Sequence, residues 1–195
     1  MRLDRLLKLK KKIRVIGFDD ACFDRVNDRE AGLCGIVCAN TRFEGMLWGS
    51  LTIDGTDVNE RLTRLLLESK YRDQIHVILL DGITFGGMNV INLRQLHEET
   101  GITCVAVMRK PPDVRAFSRV IDRFEGDDGP RRRAVVDAGP THELGGFVFQ
   151  VVGDEPSTIA ETLAVLTDQG KVPEALRLAH LIGTAVKTGQ SGNRA

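Results

Sequence analysis

Three aspartates stand where extended segments give way to loops: Asp19, Asp54 and Asp81. Carboxylates that converge in a folded interior repel one another. A divalent cation relieves that repulsion, and an oxygen donor set favours Mg2+ or Mn2+. Such a cation can activate water and stabilise a phosphoryl transition state. Each aspartate also has a plain reading. Asp54-Gly55 is an ordinary turn pair, Asp81-Gly82 an ordinary loop start, and Asp20 a cap or a solvent-facing acid. The pair Asp19 and Asp81, each directly after a buried strand, is what points to function.

Other polar residues could join them. Lys110 closes the strand after Asp81 and could bind a phosphate or a leaving oxygen, with Arg109 beside it; as a plain reading it is a helix-start charge before Pro111. His180 and Arg177 share a face of the last helix by their spacing of three. His180 reads equally as a surface histidine or a site residue. His142-Glu143 lies in a hairpin loop. Gly82, Gly86 and Gly87 follow Asp81 in a loop where backbone amides could approach a ligand.

The elements that must position these residues follow from periodicity. Ile13–Phe18 is an apolar strand ending in Asp19-Asp20, and Gly32–Ala39 and Phe43–Ile53 continue as an antiparallel meander. Asp57 and Glu60 have capping-box spacing before a helix through Leu62, Leu65 and Leu66. Gln74–Leu80 is a strand buried on both faces, the kind that ends at a ligand site in open α/β sheets. A helix from Asn89 through Val90, Ile91, Leu93 and Leu96 stops at Gly101. Ile102–Met108 is the next strand, and Pro111-Pro112 opens a helix with Val114, Phe117, Ile121 and Phe124 on one face. Gly126–Arg133 reads as a polar loop. Ala134–Asp137 and Phe147–Val152 read as a hairpin, and Pro156–Asp168 and Pro173–Val186 as two closing helices. The order predicts an α/β fold: a ribonuclease-H-like mixed sheet, three antiparallel strands and then βαβα, with helices on both faces.

The chain has 195 residues, 42% hydrophobic and 28% charged, enough for one sizeable core. Residues 1–12 read as a basic N-terminal arm, 13–187 as one domain and 188–195 as a flexible tail. The arm and Arg131–Arg133 read as solvated segments or as phosphate contacts. Lys plus Arg equals Asp plus Glu at 27 each, so net charge does not argue for nucleic acid, although a local basic patch remains compatible. One Trp and one Tyr argue against a broad aromatic stacking platform for single strands. No apolar run approaches the ~20 residues of a membrane helix, and no signal peptide is legible. The expectation is a cytoplasmic protein. Cys34 and Cys38 lie on one strand ~13 Å apart, too far for a shared zinc or a disulfide.

Read together, GFDD (17–20), IDGTDVNE (53–60), LLDGITFGGMN (79–89), RKPPD (109–113), AGPTHE (138–143) and PEALRLAHLIG (173–183) resemble the endonuclease dU family, which is distantly similar to endonuclease V. The resemblance implies an endonuclease V-like fold and a metal-dependent endonuclease acting on DNA that contains a deaminated base, uracil. It implies Asp19, Asp54 and Asp81 as catalytic metal ligands, Lys110 as a catalytic lysine, and His180 as the loose counterpart of a C-terminal histidine. Asp54 stands where endonuclease V has Glu. The proline-bracketed aromatic wedge of that relative is absent, since residues 41–46 carry Phe43 alone. Two rivals remain: a nucleic-acid-binding module of the same fold without catalysis, and an ATP-dependent phosphotransferase. The second lacks a G-x-x-x-x-G-K-[ST] loop.

Overall fold

The computed structural model describes residues 2–126 and 129–192. A seven-stranded mixed sheet organises them. Its strands are β1 (Arg14–Asp20), β2 (Glu30–Ala39), β3 (Arg42–Thr52), β4 (Val77–Asp81), β7 (Thr103–Met108), β8 (His142–Leu144) and β9 (Phe147–Val152), in the order β3-β2-β1-β4-β7-β9-β8. A separate two-stranded ribbon pairs β5 (Thr84–Phe85) with β6 (Asn89–Val90). The meander β1-β2-β3 is antiparallel, β1, β4 and β7 run parallel, and β9 closes the far side antiparallel to β7. This is the ribonuclease-H-like order expected from the sequence.

The two-residue period of the strands sorts their side chains into two layers. Ile13, Val15, Val77, Leu79, Val105 and Val107 face one side, under α1 (Leu3–Lys8), α6 (Pro156–Val165) and α7 (Glu174–Thr188). Ile16, Phe18, Ile78, Leu80 and Ala106 face the other, under α2 (Val58–Leu67) and α3 (Leu93–Thr100). Asp19 and Asp81 continue the first series, so alternation alone brings both to the α7 side.

Helix α7 lies unusually close to β1 because small residues meet there. A Cβ placed on Gly17 would sit 2.8 Å from the Ala175 carbonyl carbon. One placed on Gly183 would sit 3.3 Å from the Ala21 Cα. Ala175, Ala179 and Gly183 recur every four residues and form the buried stripe that seats the helix.

Four segments differ from the sequence reading. The basic arm folds as α1, with Leu3 and Leu6 buried in the α7-side core. The helix expected from Asn89 starts at Leu93, because the Asn92 side chain accepts from the Gln95 amide and caps it there. Residues expected as the first strand of a hairpin form α5 (Pro130–Asp137); Pro130 fits the first helical turn and Ala134 is buried. The hairpin is instead β8-β9, turning at Gly145-Gly146, both with positive φ. Helix α4 (Val114–Ile121) starts after Asp113, whose side chain accepts from the Ala116 amide. Part of the expected 126–133 loop, residues 127 and 128, and the end of the expected tail, 193–195, lie outside the described residues.

Candidate metal centre

Asp19 and Asp81 emerge from neighbouring parallel strands. The register pairs Phe18 with Leu80, so the two aspartates are the next residues on adjacent strands and on the same face. Helix α7 brings His180 over them. One ligand atom from each of Asp19, Asp81 and His180 falls within 4.8 Å of the others. His180 Nδ1 lies 3.0 Å from Asp19 Oδ2, and Asp19 Oδ1 accepts the Asp20 backbone amide at 2.9 Å.

Burial dominates the electrostatics of these carboxylates, and mutual repulsion adds to it at Asp19 and Asp20. Asp19 is 5% exposed. Burial first, then the charges of Asp81 and Asp20, push its pKa from 3.8 up to about 8. Burial also raises Asp81, opposed by Arg109 and then His180. Asp20 is raised by burial and held back chiefly by the Gly86 amide, which donates to its Oδ2 at 3.1 Å. Two carboxylates and an imidazole suit a divalent cation that accepts both oxygen and nitrogen. The donor set therefore fits a metal, and Asp19, Asp81 and His180 are the residues that would hold it.

Asp54, expected as the third metal ligand, does not join this group. It occupies the left-handed region at φ 53° in the turn after β3. Its amide donates to the Gly86 carbonyl at 2.8 Å. Its Oδ1 accepts the Met88 amide at 2.7 Å, and its Oδ2 pairs with Arg25 at 2.7 Å. The turn thus aims the carboxylate at the 82–91 loop rather than at Asp19. Asp20 and Asp54 together fasten that loop from two strand ends.

The glycines divide accordingly. Beside Gly86 the space is filled by Leu51 Cδ1, 2.5 Å from an added Cβ, and beside Gly87 by Asp54 Oδ1, at 2.3 Å. Those two glycines exist for close packing within the protein, whereas Gly82 has open space. Gly82 borders a cavity of about 430 Å³ with Ile83, Met108, Phe117, Pro140 and Gln150.

The remaining expected residues are placed as follows. Arg109 continues the Val105–Val107 series and its positive charge acts on both Asp19 and Asp81. Lys110 is one residue out of phase, exposed, and makes no hydrogen bond or ion pair among the described residues. Arg177 turns to Glu174, with Nη2 2.6 Å from Oε1. His142 packs against Phe149 on the edge of the sheet, ring centroids 5.7 Å apart, and takes no part in the acidic group. Arg131, expected on a phosphate-binding loop, is buried. Its guanidinium donates to the carbonyls of Met88 (2.7 Å), Asp54 (2.6 Å) and Gly55 (3.0 Å) and pairs with Glu125. Its role as a clamp had one sequence signal, its place just after a proline that opens a helix.

Comparisons with known proteins agree with this architecture. The sequence model described as Endonuclease dU matches residues 11–187. A UPF0215 protein of Thermococcus gammatolerans is 40% identical over 190 residues, covering 94% of this chain and 97% of that protein. A UPF0215 protein of Methanopyrus kandleri is 35% identical, covering 98% and 100%. A crystal structure of a protein of unknown function from Archaeoglobus fulgidus has TM-score 0.83 at 35% identity, covering 90% and 98%. The catalytic domain of human endonuclease V is similar in fold, with TM-score 0.60 at 15% identity, covering 94% and 85%. Endonuclease V of Ciona intestinalis, in complex with a 24mer DNA containing an inosine followed by a ribo-adenosine, has TM-score 0.54 at 16% identity, covering 91% and 90%. On the sequence match over residues 11–187 and the relatives that cover nearly all of it, this chain belongs to the endonuclease dU family.

Proposed function

We propose that this protein is a Mg2+- or Mn2+-dependent endodeoxyribonuclease that hydrolyses a phosphodiester near uracil, a deaminated base, in DNA. The observation that carries the proposal is the meeting of Asp19, Asp81 and His180 at one sheet edge, with ligand atoms within 4.8 Å of one another. The family's description and the fold shared with endonuclease V support the same reading. When bound, a hard divalent cation supplies Lewis-acid polarisation of a phosphoryl oxygen and hydroxide at neutral pH.

The protein's own groups do the rest. Asp19 and Asp81 would present two fixed anionic oxygens to the cation. His180, set by the close seat of α7, would supply the nitrogen ligand. Arg109 offsets the charge of an incoming phosphate. The 82–91 loop, pinned by Asp20, Asp54 and Arg131, keeps the edge of the site rigid. Free Cys22, Cys34, Cys38 and Cys104 support a reducing, cytoplasmic compartment. No helix among the described residues is long and apolar enough to cross a membrane.

The test is cleavage of a uracil-containing duplex with Mg2+, against a matched duplex with thymine. Asp19→Asn and Asp81→Asn abolish cleavage under this proposal, and full activity in either sinks it. One observation favours a second reading, a nucleic-acid-binding module without catalysis: the commitment of Asp54 to its own loop leaves two carboxylates at the centre. That reading predicts salt-sensitive binding with no cleavage by any metal.

A further inference from the structure

A cleft of about 330 Å³ opens beside the acidic group, with Asp81 at its inner edge. That volume lies at the low end of small-ligand pockets, about 300–1,000 Å³. Its walls come from the end of β7, Gly146 and the start of β9, the loop between α6 and α7, and Leu176 of α7. Phe147 and Val172 form an apolar floor, and Arg109 and Lys171 stand at the rim.

The charges at this rim differ from three of the cations described above. Arg25 is paired with Asp54, Arg131 with Glu125, and Arg177 with Glu174. Arg109 and Lys171 are exposed and have no hydrogen bond or ion pair among the described residues. Two exposed cations bordering one cleft suit the phosphate of a ligand, and the apolar floor suits its less polar face, while the Asp81 carboxylate alone opposes an anion. The ligand is small, since the cleft is small.

We propose that this cleft is a nucleotide subsite: Arg109 and Lys171 bind the phosphate next to the scissile one, and its sugar lies over Val172 and Phe147. Lys171 is then a substrate-binding residue contributed by the α6–α7 loop. The proposal rests on the nuclease reading of the acidic group and adds to it which side of that group carries the strand. A Lys holds phosphate as a point charge and an Arg by a bidentate fork. The pair therefore grips backbone and is indifferent to base identity.

The test measures binding without cleavage. A fluorescein-labelled single-stranded deoxyoligonucleotide is titrated by anisotropy into the full chain in EDTA over a salt series. Lys171→Ala weakens binding roughly five- to tenfold at low salt and lowers the slope of log K against log salt by about 0.7, the value for one phosphate on a single strand. Lys171→Arg restores both. Mn2+ affinity, read by calorimetry, stays at the wild-type value in Lys171→Ala. An unchanged affinity and slope overturns the subsite, as does a loss of Mn2+ binding, which would place Lys171 in the support of the centre. Wild-type protein that neither binds the oligonucleotide nor cleaves a uracil-containing duplex with Mg2+ or Mn2+ overturns the nuclease reading as well. Wild-type binding and cleavage with an unaffected Lys171→Ala overturns the subsite alone.

Discussion

Gly17 and Ala175 touch across the β1–α7 interface so closely that a single added carbon on Gly17 would sit 2.8 Å from the Ala175 backbone and 2.9 Å from its Cβ. The contact lies one turn and a little more before His180 on the helix and two residues before Asp19 on the strand. It sets how near the imidazole comes to the carboxylates. Gly17→Ala is expected to cost about 1–3 kcal/mol, as overpacking does, and to weaken Mn2+ binding by moving α7 outward. Calorimetric titration checks it; wild-type affinity in a folded Gly17→Ala would show that α7 is not set by this contact.

Without metal, the protein is expected to lose stability as pH rises. Asp19 is held up from 3.8 to about 8, chiefly by burial, then by Asp81 and Asp20. A folded-state pKa above the unfolded one means that the folded chain binds the proton more tightly. The stability this contributes is complete below the unfolded pKa and is lost as pH climbs through the folded value. Asp19→Asn cannot ionise, so it flattens this dependence and raises the melting temperature in EDTA near pH 8 by at least about 2–4 °C, the equivalent of ~1 kcal/mol for a chain of this size. Wild type and variant melting in parallel across that pH window would contradict it.

Loading should reverse that order. A cation requires ionised Asp19 and Asp81, so metal affinity rises with pH toward about 8 as the Asp19 proton becomes easier to displace. Saturating Mn2+ therefore stabilises wild type more at pH 8 than at pH 6, and does nothing for Asp19→Asn or Asp81→Asn. Thermal shift with and without Mn2+ reads this directly. An equal shift in Asp81→Asn would remove that residue from the centre.

Asp54 separates a clamp from a ligand. Asp54→Asn keeps an oxygen for the Met88 amide and loses only a partly exposed charge pair with Arg25, worth up to about 1 kcal/mol. Asp54→Ala leaves the Met88 amide unpaired and costs about 1–3 kcal/mol. Neither is expected to lower Mn2+ affinity more than about threefold if the side chain stays with its loop. Asp54→Asn losing metal as completely as Asp81→Asn would show that the turn rearranges to bring this acid inward.

Arg131 is expected to be the most costly of these positions. Its side chain is 9% exposed and that of Glu125 8%. Truncating one partner of such a pair costs about 3–5 kcal/mol, because the other charge stays buried. Arg131→Ala also frees three backbone carbonyls of the loop and turn. Urea denaturation gives the loss. A deficit below 1 kcal/mol would mean that Glu125 reaches solvent when its partner is gone.

The sheet was legible because strand ends and alternation are local. Ile13–Phe18 and Gln74–Leu80 name the strands, and residues 19 and 81 share a face once those strands pair in parallel. His180 was harder, because its distance to Asp19 depends on how α7 seats, and that seat is made by Gly17 and Gly183, 166 positions apart in sequence. Asp54 misled for a local reason. A strand-ending Asp-Gly has the same letters whether its carboxylate points at a neighbouring strand or, through a positive φ, at the next loop. Arg109 and Lys110 differ by one residue, and one residue is the whole difference between the two faces of a strand. The Ala134–Asp137 stretch is too short and too β-branched to declare its period, and the buried Arg131 that settles it as helix is invisible without its partners.

The register that pairs Phe18 with Leu80 has one more consequence. Neighbouring strands in a sheet stand about 4.8 Å apart, and the two aspartates sit on neighbouring strands. Their spacing is therefore borrowed from the backbone ladder, the stiffest ruler a protein has. Selection can retune the helix that carries His180 and the loops at the rim while this gauge stays fixed. Under the proposed function, the spacing of the two carboxylates that would hold the ion is thus set apart from the loops that would meet the substrate.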